Sequence, residues 1–350
     1  MLNRPLFFLT FLGLAVILGS CSSSTTTPAT PTLTTYYTQT NLVSDTAVFG
    51  AAHIDPNLVN AWGIAFSTAA GAHPWISANG SFTSAIYDTT GGSPSSVTIP
   101  APGGMPGGAP SGIVFNSSAV STDFGGNHFI FCTEDGTLAG SKPGAAAATI
   151  VSDSSASGAV YKGLAIVASA SQLYATDFHN NTINVFDKNF NVVNHFGDAT
   201  VPAGYGPFGI TNINDTLYVT YARQKIRAHD DSAGASIGFV DRFTPGGMMI
   251  GRFVSGGNLN SPWGIALAPA SFGQFANAIL IGNFGDGRIT GYDHSGNVIG
   301  QLASGSRSTI SIQGLWGISF NPSTGSDPNK LFFTAGPYEE SHGLFGYLHP

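Results

Sequence analysis

Residues 60–66 read NAWGIAF, and residues 314–320 read GLWGISF. Almost the same phrase stands near both ends of the chain, and it recurs between them. SPWGIAL spans 261–267 and GPFGITN spans 206–212, with weaker copies APSGIVF at 109–115 and VYKGLAI at 160–166. The shared glycine falls at Gly63, Gly112, Gly163, Gly209, Gly264 and Gly317, at intervals of 49, 51, 46, 55 and 53 residues. A repeat of roughly 40–50 residues is the period of a β-propeller blade. The phrase therefore marks the same strand in six successive blades.

The stretches after each copy support this. A second apolar strand follows, as in PWISANG (74–80), HFIFCTEDG (128–136), QLYATDFHNN (172–181), TLYVTYARQ (216–224), AILIGNFGDG (278–287) and KLFFTAGPYEE (330–340). A third strand comes next, clear in TINVFD (182–187) and RITGYD (288–293) and reduced to TLAGS (137–141) in the second blade. Fourth strands read SSVTIP, ATIVSD, FNVVNHF, MMIGRF and NVIGQL, after turns such as DTTGG, DKNFN and DHSGN. Asp, Asn and Gly serve such turns through side-chain–backbone bonds and positive φ. The sixth repeat ends at Pro350 without a fourth strand, while TQTNLVSD (38–45) has no repeat of its own. The expectation is an all-β, six-bladed propeller over residues 36–350, closed by the N-terminal strand completing the last blade.

Composition narrows the class. Charged residues make up only 9% of 350, and glycine numbers 46. That suits many tight turns and few amphipathic helices. Residues 1–20 carry Arg4, an apolar run and Leu18-Gly19-Ser20 before Cys21. This reads as a secretion leader rather than a membrane span. The LGSC ending resembles the lipobox of bacterial lipoproteins, which would make Cys21 the lipidated mature N-terminus. Residues 22–34, SSSTTTPATPTLT, then form a tether, giving a linker region of 21–35. With Ser22 after the cysteine, the expected location is the outer membrane or cell surface, with membrane contact only through the anchor. Loss of Arg4 leaves eleven basic and nineteen acidic residues, a charge of −8. Nucleic acid is excluded as a partner, because neutralising phosphates needs clustered cations. Cys132 lies in an alternating strand and reads as a buried, inert thiol. The chain is expected to act as a monomer.

SPWGIAL…AILIGNFGDGRITGYDHSGNVIGQL resembles an NHL-type repeat. LVSDTAVFGAAHIDPNLVNAWGIAF, FCTEDGTLAG, YKGLAI, GNFGDG and LFFTAGPYEESHGLFG together resemble a family of secreted bacterial propeller proteins of unknown function. That resemblance spans nearly the whole mature chain. It implies an exported propeller and no particular reaction, since propellers host unrelated activities. Related propeller folds, such as gluconolactonase-like hydrolases and NHL-type lyases, hold a metal at the mouth of the central channel.

Propeller geometry brings the start of each first strand and the turn between second and third strands to one face. There it gathers a candidate ligand-binding set: Trp62, Lys162, Phe208, Trp263 and Trp316 from strand starts, with Asn79, Asp135, His179, Arg223 and His342 from turns. Glu134, Asp177 and Asn283 offer oxygens suited to Ca²⁺ or Mg²⁺. Histidines are too few there for a Zn²⁺ site of the lyase kind. The fourth blade carries an insertion, YARQKIRAHDDSAGASIG (221–238), with Arg223, Lys225, Arg227, His229, Asp230 and Asp231. Long loops on rigid scaffolds often carry function, and this one reads as a lid, an anion clamp or a solvated loop. Gly234-Ala235-Ser236-Ile237-Gly238 matches a nucleophile-elbow pattern but lacks the strand–turn–helix setting. The leading reading is a lipid-anchored module binding an envelope protein, a glycan or a small ligand. The alternative is a divalent-metal-dependent hydrolase or lyase, with His179 or His342 as acid/base.

Overall fold

The computed structural model describes residues 1–2, 34–117 and 122–350. The expected leader, the lipidated Cys21 and all but the end of the tether lie outside the described residues. Among the described residues, no helix is long and apolar enough to cross a membrane.

Six sheets are arranged as blades, antiparallel except for one short parallel edge strand in the sixth, each with one copy of the repeated phrase as its inner strand. The inner strands are Ala61–Phe66, Pro110–Phe115, Tyr161–Val167, Tyr205–Ile213, Pro262–Leu267 and Leu315–Phe320. Five blades follow the simple order of four successive strands. In the sixth, Leu315–Phe320, Leu331–Ala335 and Leu344–His349 are joined by Thr38–Ser44, and His53–Ile54 adds a short fifth strand. Thr38–Ser44 runs antiparallel to Leu344–His349, from Thr38 opposite His349 to Ser44 opposite Leu344. The ring is thus closed by the N-terminal strand, as the sequence predicts. Asp45 strengthens the junction: it accepts from Gly343 N at 3.1 Å and pairs with His342 Nδ1 at 2.7 Å.

The shared glycines explain why the phrase repeats. A Cβ on Gly63 would lie 2.5 Å from Ser111 O, one on Gly163 2.8 Å from Phe208 O, and one on Gly264 2.6 Å from Trp316 O. At Gly112 and Gly209 the collision, with Leu164 N and Trp263 O, would be closer still. The circle ends with Gly317, whose Cβ would meet Trp62 O at 2.8 Å. Each inner strand thus lies against the backbone of the next blade's inner strand, and only glycine permits that approach.

The register of every inner strand slips beside this glycine. Such bulges bend a strand and sharpen its twist. In three blades a threonine of the second strand satisfies the freed backbone. Thr176 Oγ1 accepts from Gly163 N at 2.7 Å and donates to Phe208 O at 2.7 Å in the next blade. Thr220 accepts from Gly209 N at 2.8 Å, and Thr334 accepts from Gly317 N at 2.9 Å and donates to Trp62 O. Cys132 occupies the equivalent place in the second blade. It is free and fully buried, and burial pushes its thiol up to about 12, so it is an inert packing group.

Between the third and fourth blades sits a buried charge cluster. Arg252 donates to Asp241 and, at 2.6 Å, to Asp198, while its guanidinium lies 4.4 Å from the Phe239 ring. Two carboxylates share one cation. Burial, only partly offset by Arg252, raises Asp241 to about 7. Its proton is therefore retained in the folded state well above its usual carboxylate range.

Two outcomes test this account. Gly209→Ala should destabilise the ring by about 1–3 kcal/mol or more, whereas Gly305→Ala, where a Cβ would meet nothing within 4 Å, should leave the thermal midpoint unchanged. Because Asp241 is raised in the folded state, its contribution is fully present below the unfolded carboxylate value. It is lost as pH climbs towards about 7. The midpoint should fall by a few degrees between pH 4.5 and 7.5, and Asp241→Asn should flatten that slope.

Candidate functional site at the channel mouth

The residues immediately before the shared glycines meet at one end of the channel, and there they form a plug. Trp62 and Trp316 stack with ring centroids 3.9 Å apart, and Phe284 stacks on the other side of Trp316 at 3.9 Å. Trp263 meets Trp316 edge-on at 5.9 Å, and Phe208 does so at 5.7 Å. Trp62 and Trp316 are each 1% exposed and Phe208 is 0%. The expectation that these three rings present themselves to a ligand is therefore corrected: six converging strands leave so little room that the rings fill the channel with one another. Of the expected aromatic rings, Trp263 keeps part of its surface open, as does Phe284 beside it. Its Nε1 donates to Lys162 O at 3.2 Å, and Trp316 Nε1 donates to Asn60 Oδ1 at 2.9 Å.

A polar network lies over the plug. Lys162, 2% exposed, pairs with Glu134 Oε1, and its ammonium sits 5.0 Å from the Trp62 ring centroid and 5.9 Å from that of Phe178. Glu134 Oε2 accepts from Asn79 Nδ2 at 2.8 Å. Asn60 Nδ2 reaches Asn79 Oδ1 at 3.3 Å and Glu340 Oε2 at 2.7 Å. The chain of contacts thus links the first, second, third and sixth blades. Burying Lys162 is tolerable because it has both a charge-assisted bond and aromatic faces beside it. Glu340 is brought in by an unusual turn: Tyr338, Glu339 and Glu340 all have positive φ, at 52°, 54° and 67°. Left-handed backbone in three successive non-glycine residues is strained, and strain of this kind concentrates where side chains must be aimed.

The fourth-blade insertion roofs this network. Gln224 bridges to Asp231, Lys225 N donates to Asp230 O at 2.8 Å, and Ser232 N donates to Arg223 O at 2.7 Å. The result is a tight hairpin turned by Arg227 and Ala228, both at positive φ. Its tip, Ile226, stands in solvent. The hairpin rests on the third blade through Gln224 Nε2 to Phe178 O and His179 Nδ1 to Arg227 O at 3.0 Å. It carries His229 and Asp230 to Glu134, so that one ligand atom of each lies within 4.8 Å of the others. His229 Nδ1 and Asp230 Oδ1 are 2.8 Å apart.

Four carboxylates thus surround Lys162. Burial raises Glu340, with Glu134 adding to the shift and Lys162 and Asn60 opposing it. Burial likewise raises Asp231, whose Oδ2 is buried without a hydrogen-bond partner. Asp230 moves the other way: burial works against it, but the His229 hydrogen bond and the Lys162 charge hold it below the usual range.

The expected metal set does not assemble. Asp177 is 1% exposed and caps its own turn, accepting from Asn180 N at 3.1 Å, Asn180 Nδ2 at 2.8 Å and Val160 N at 3.2 Å. Asn283 of the fifth blade is likewise used up, pinning the loop before its blade by donating to Asn258 O at 2.7 Å and accepting from Asn260 N at 3.2 Å. Of the three, only Glu134 faces the mouth. Asp135 accepts from Ala109 N at 2.8 Å, and Arg223 donates to Ser232 Oγ at 2.9 Å. His342 serves ring closure through Asp45. Asn60 is missing from the expected face, while Glu340, from the turn of the last blade, and His229 and Asp230, from the insertion, fall on it without having been assigned to the ligand or metal set. The insertion length and the paired Glu339-Glu340 were the available signals. Ser236 of the G-x-S-x-G match lies at positive φ in a loop and accepts from Gly257 N at 2.9 Å, so it builds no nucleophile elbow.

Lys162→Met should cost about 3–5 kcal/mol, because it strands a buried Glu134 carboxylate. Lys162→Met with Glu134→Leu should recover most of that loss in denaturant titration.

No protein-family model matches the chain. It is 33% identical over 315 residues to the uncharacterized protein R648 of Acanthamoeba polyphaga mimivirus, covering 85% of this chain and 76% of that one. It is 32% identical over 317 residues to the same virus's uncharacterized protein L690, covering 85% and 82%. Among solved structures, a catalytically inactive virginiamycin B lyase from Staphylococcus aureus with quinupristin matches at TM-score 0.54 and 14% identity, over 90% of this chain and 99% of that one. A streptogramin B lyase structure matches at TM-score 0.55 and 14% identity, over 90% and 97%. These two likenesses establish the propeller fold.

Proposed function

The chain belongs to the propeller family that includes these two mimivirus proteins, and on that premise we propose that it is an exported binding module. Its recognition site is the channel mouth, and its ligand bears a cationic group. One observation carries the reading. Carboxylates from the second, fourth and sixth blades surround a single buried lysine above a sealed plug. Burial raises Glu340 and Asp231, and Glu134 and Asp231 add to the Glu340 shift, a cost that a ligand cation would offset. Asp230 and Glu340 make the charge contacts, and Trp263 supplies the partly open aromatic surface at the rim. The leader and the lipobox-like LGSC motif support anchoring at Cys21 and service at the cell envelope. There the ligand is an envelope protein, a glycan or a small molecule, and the bacterial family resemblance belongs to the same reading.

A second reading has its own observation. Glu134, His229 and Asp230 offer ligand atoms within 4.8 Å of one another, a set compatible with Ca²⁺ or Mg²⁺ in which His229 replaces one expected oxygen. The ion would compete with Lys162 for Glu134. In that reading the chain is a metal-dependent hydrolase or lyase.

The two readings separate by experiment. Asp230→Asn and Glu340→Gln should weaken a cationic ligand at least tenfold with the fold intact. Affinity for it should also fall on mild acidification, since Glu340 takes up its proton above the usual range. Unchanged affinity in both variants would refute the mouth as the site. Chelator-stripped protein titrated with Ca²⁺ or Mg²⁺ at about a hundred times the dissociation constant should gain roughly 2.7 kcal/mol under the metal reading, and none under the first.

A further inference from the structure

Below the plug the channel widens again into a second cavity, unrelated to the mouth. The residue after each shared glycine is a branched aliphatic: Ile64, Ile113, Leu164, Ile210, Ile265 and Ile318. All six line both a small internal void of about 70 Å³, which Trp263 also touches, and an open funnel of about 520 Å³ beneath it. Inner strands start at the mouth, so the funnel opens on the opposite face. Phe66, Phe115 and Phe320 widen its wall, and Thr68, Ser117 and Ser319 bring hydroxyls to the cavity.

We propose that this funnel is a binding site for a compact, uncharged amphiphile, its apolar end seated on the aliphatic ring and its hydrogen-bonding end among the hydroxyls. Three observations carry it. The cavity has the volume of a small-molecule site. In a chain of net charge −7, no Asp, Glu, Lys, Arg or His among the described residues lines it, so it offers an ion no counter-charge and complements a neutral ligand. Its inner end narrows to the small void beside Trp263 of the plug, which suits a small molecule rather than a flat protein surface. Each of the six aliphatics packs in the hydrophobic core between blades and turns its remaining surface to the cavity, giving it an apolar floor beneath a polar rim.

The test uses Nile red, a neutral solvatochromic dye, with the folded chain. The expected result is saturable, one-to-one binding with a blue-shifted emission. Ile265→Glu, which puts a charge into the ring, should weaken it at least tenfold. Thr211→Trp, which fills the funnel from a half-buried wall position, should do the same and covers the case in which the glutamate variant fails to fold. Asp230→Asn at the mouth should leave binding unchanged. Absence of saturable binding would overturn the proposal. So would binding that survives Thr211→Trp, or binding lost instead on Met105→Glu, which would move the dye to the apolar cavity of about 580 Å³ beside Phe82 and Met105.

Discussion

At the six shared glycines backbone lies against the backbone of the neighbouring blade, too close for any Cβ. This approach is repeated around the circle and closed when Gly317 meets Trp62 O. Nearly every other feature follows from that spacing. Inner strands that lie this close bulge beside the glycine, and hydroxyls of Thr176, Thr220 and Thr334 answer the displaced amides. The side chains flanking each glycine then have only the narrow channel to occupy. The large ones before it seal the mouth end, and the branched aliphatics after it line the other. One constraint therefore yields a closed ring, a blocked channel and two chemically opposite ends.

The blocked channel changes how the mouth works. Three aromatic rings that look like a recognition surface in the sequence are consumed by packing. Their burial provides something else, a low-dielectric floor on which Lys162 and Glu134 interact strongly. Polar chemistry is thereby pushed outward, to the turns and to the fourth-blade hairpin. Function in this fold sits in variable turns above a fixed scaffold, and the 221–238 insertion is the largest departure from the repeat on that face.

The fold was legible because its determinants are local and periodic. A glycine that tolerates no Cβ, a strand that alternates and an Asp-led turn each leave a mark at the same place in every repeat. The orphan strand at 38–45 and the missing last strand pointed to each other. The site was less legible. Asp177 and Asn283 look like metal ligands, but Asp177 spends its side chain on its own turn and Asn283 on the loop that leads into its blade. Turn capping and metal ligation use the same residue types, so spacing alone does not separate them. Glu134 was identified, yet its partner His229 comes from a blade two repeats away, reached by a hairpin whose path only coordinates reveal. Asn60 escaped notice because it opens the repeated phrase just ahead of the inner strand, and its role appears only when Trp316 and Glu340 arrive beside it.

The central claim is that the channel is sealed by its own tryptophans, so that its two ends do not communicate. Collisional quenching of tryptophan fluorescence by acrylamide, in a chain carrying Trp75→Phe and Trp263→Phe, tests it most directly, because only Trp62 and Trp316 then emit. A sealed channel predicts almost no quenching in the folded protein and full quenching after denaturation. Quenching of the folded protein close to that of free indole would contradict it and would show a channel open from end to end.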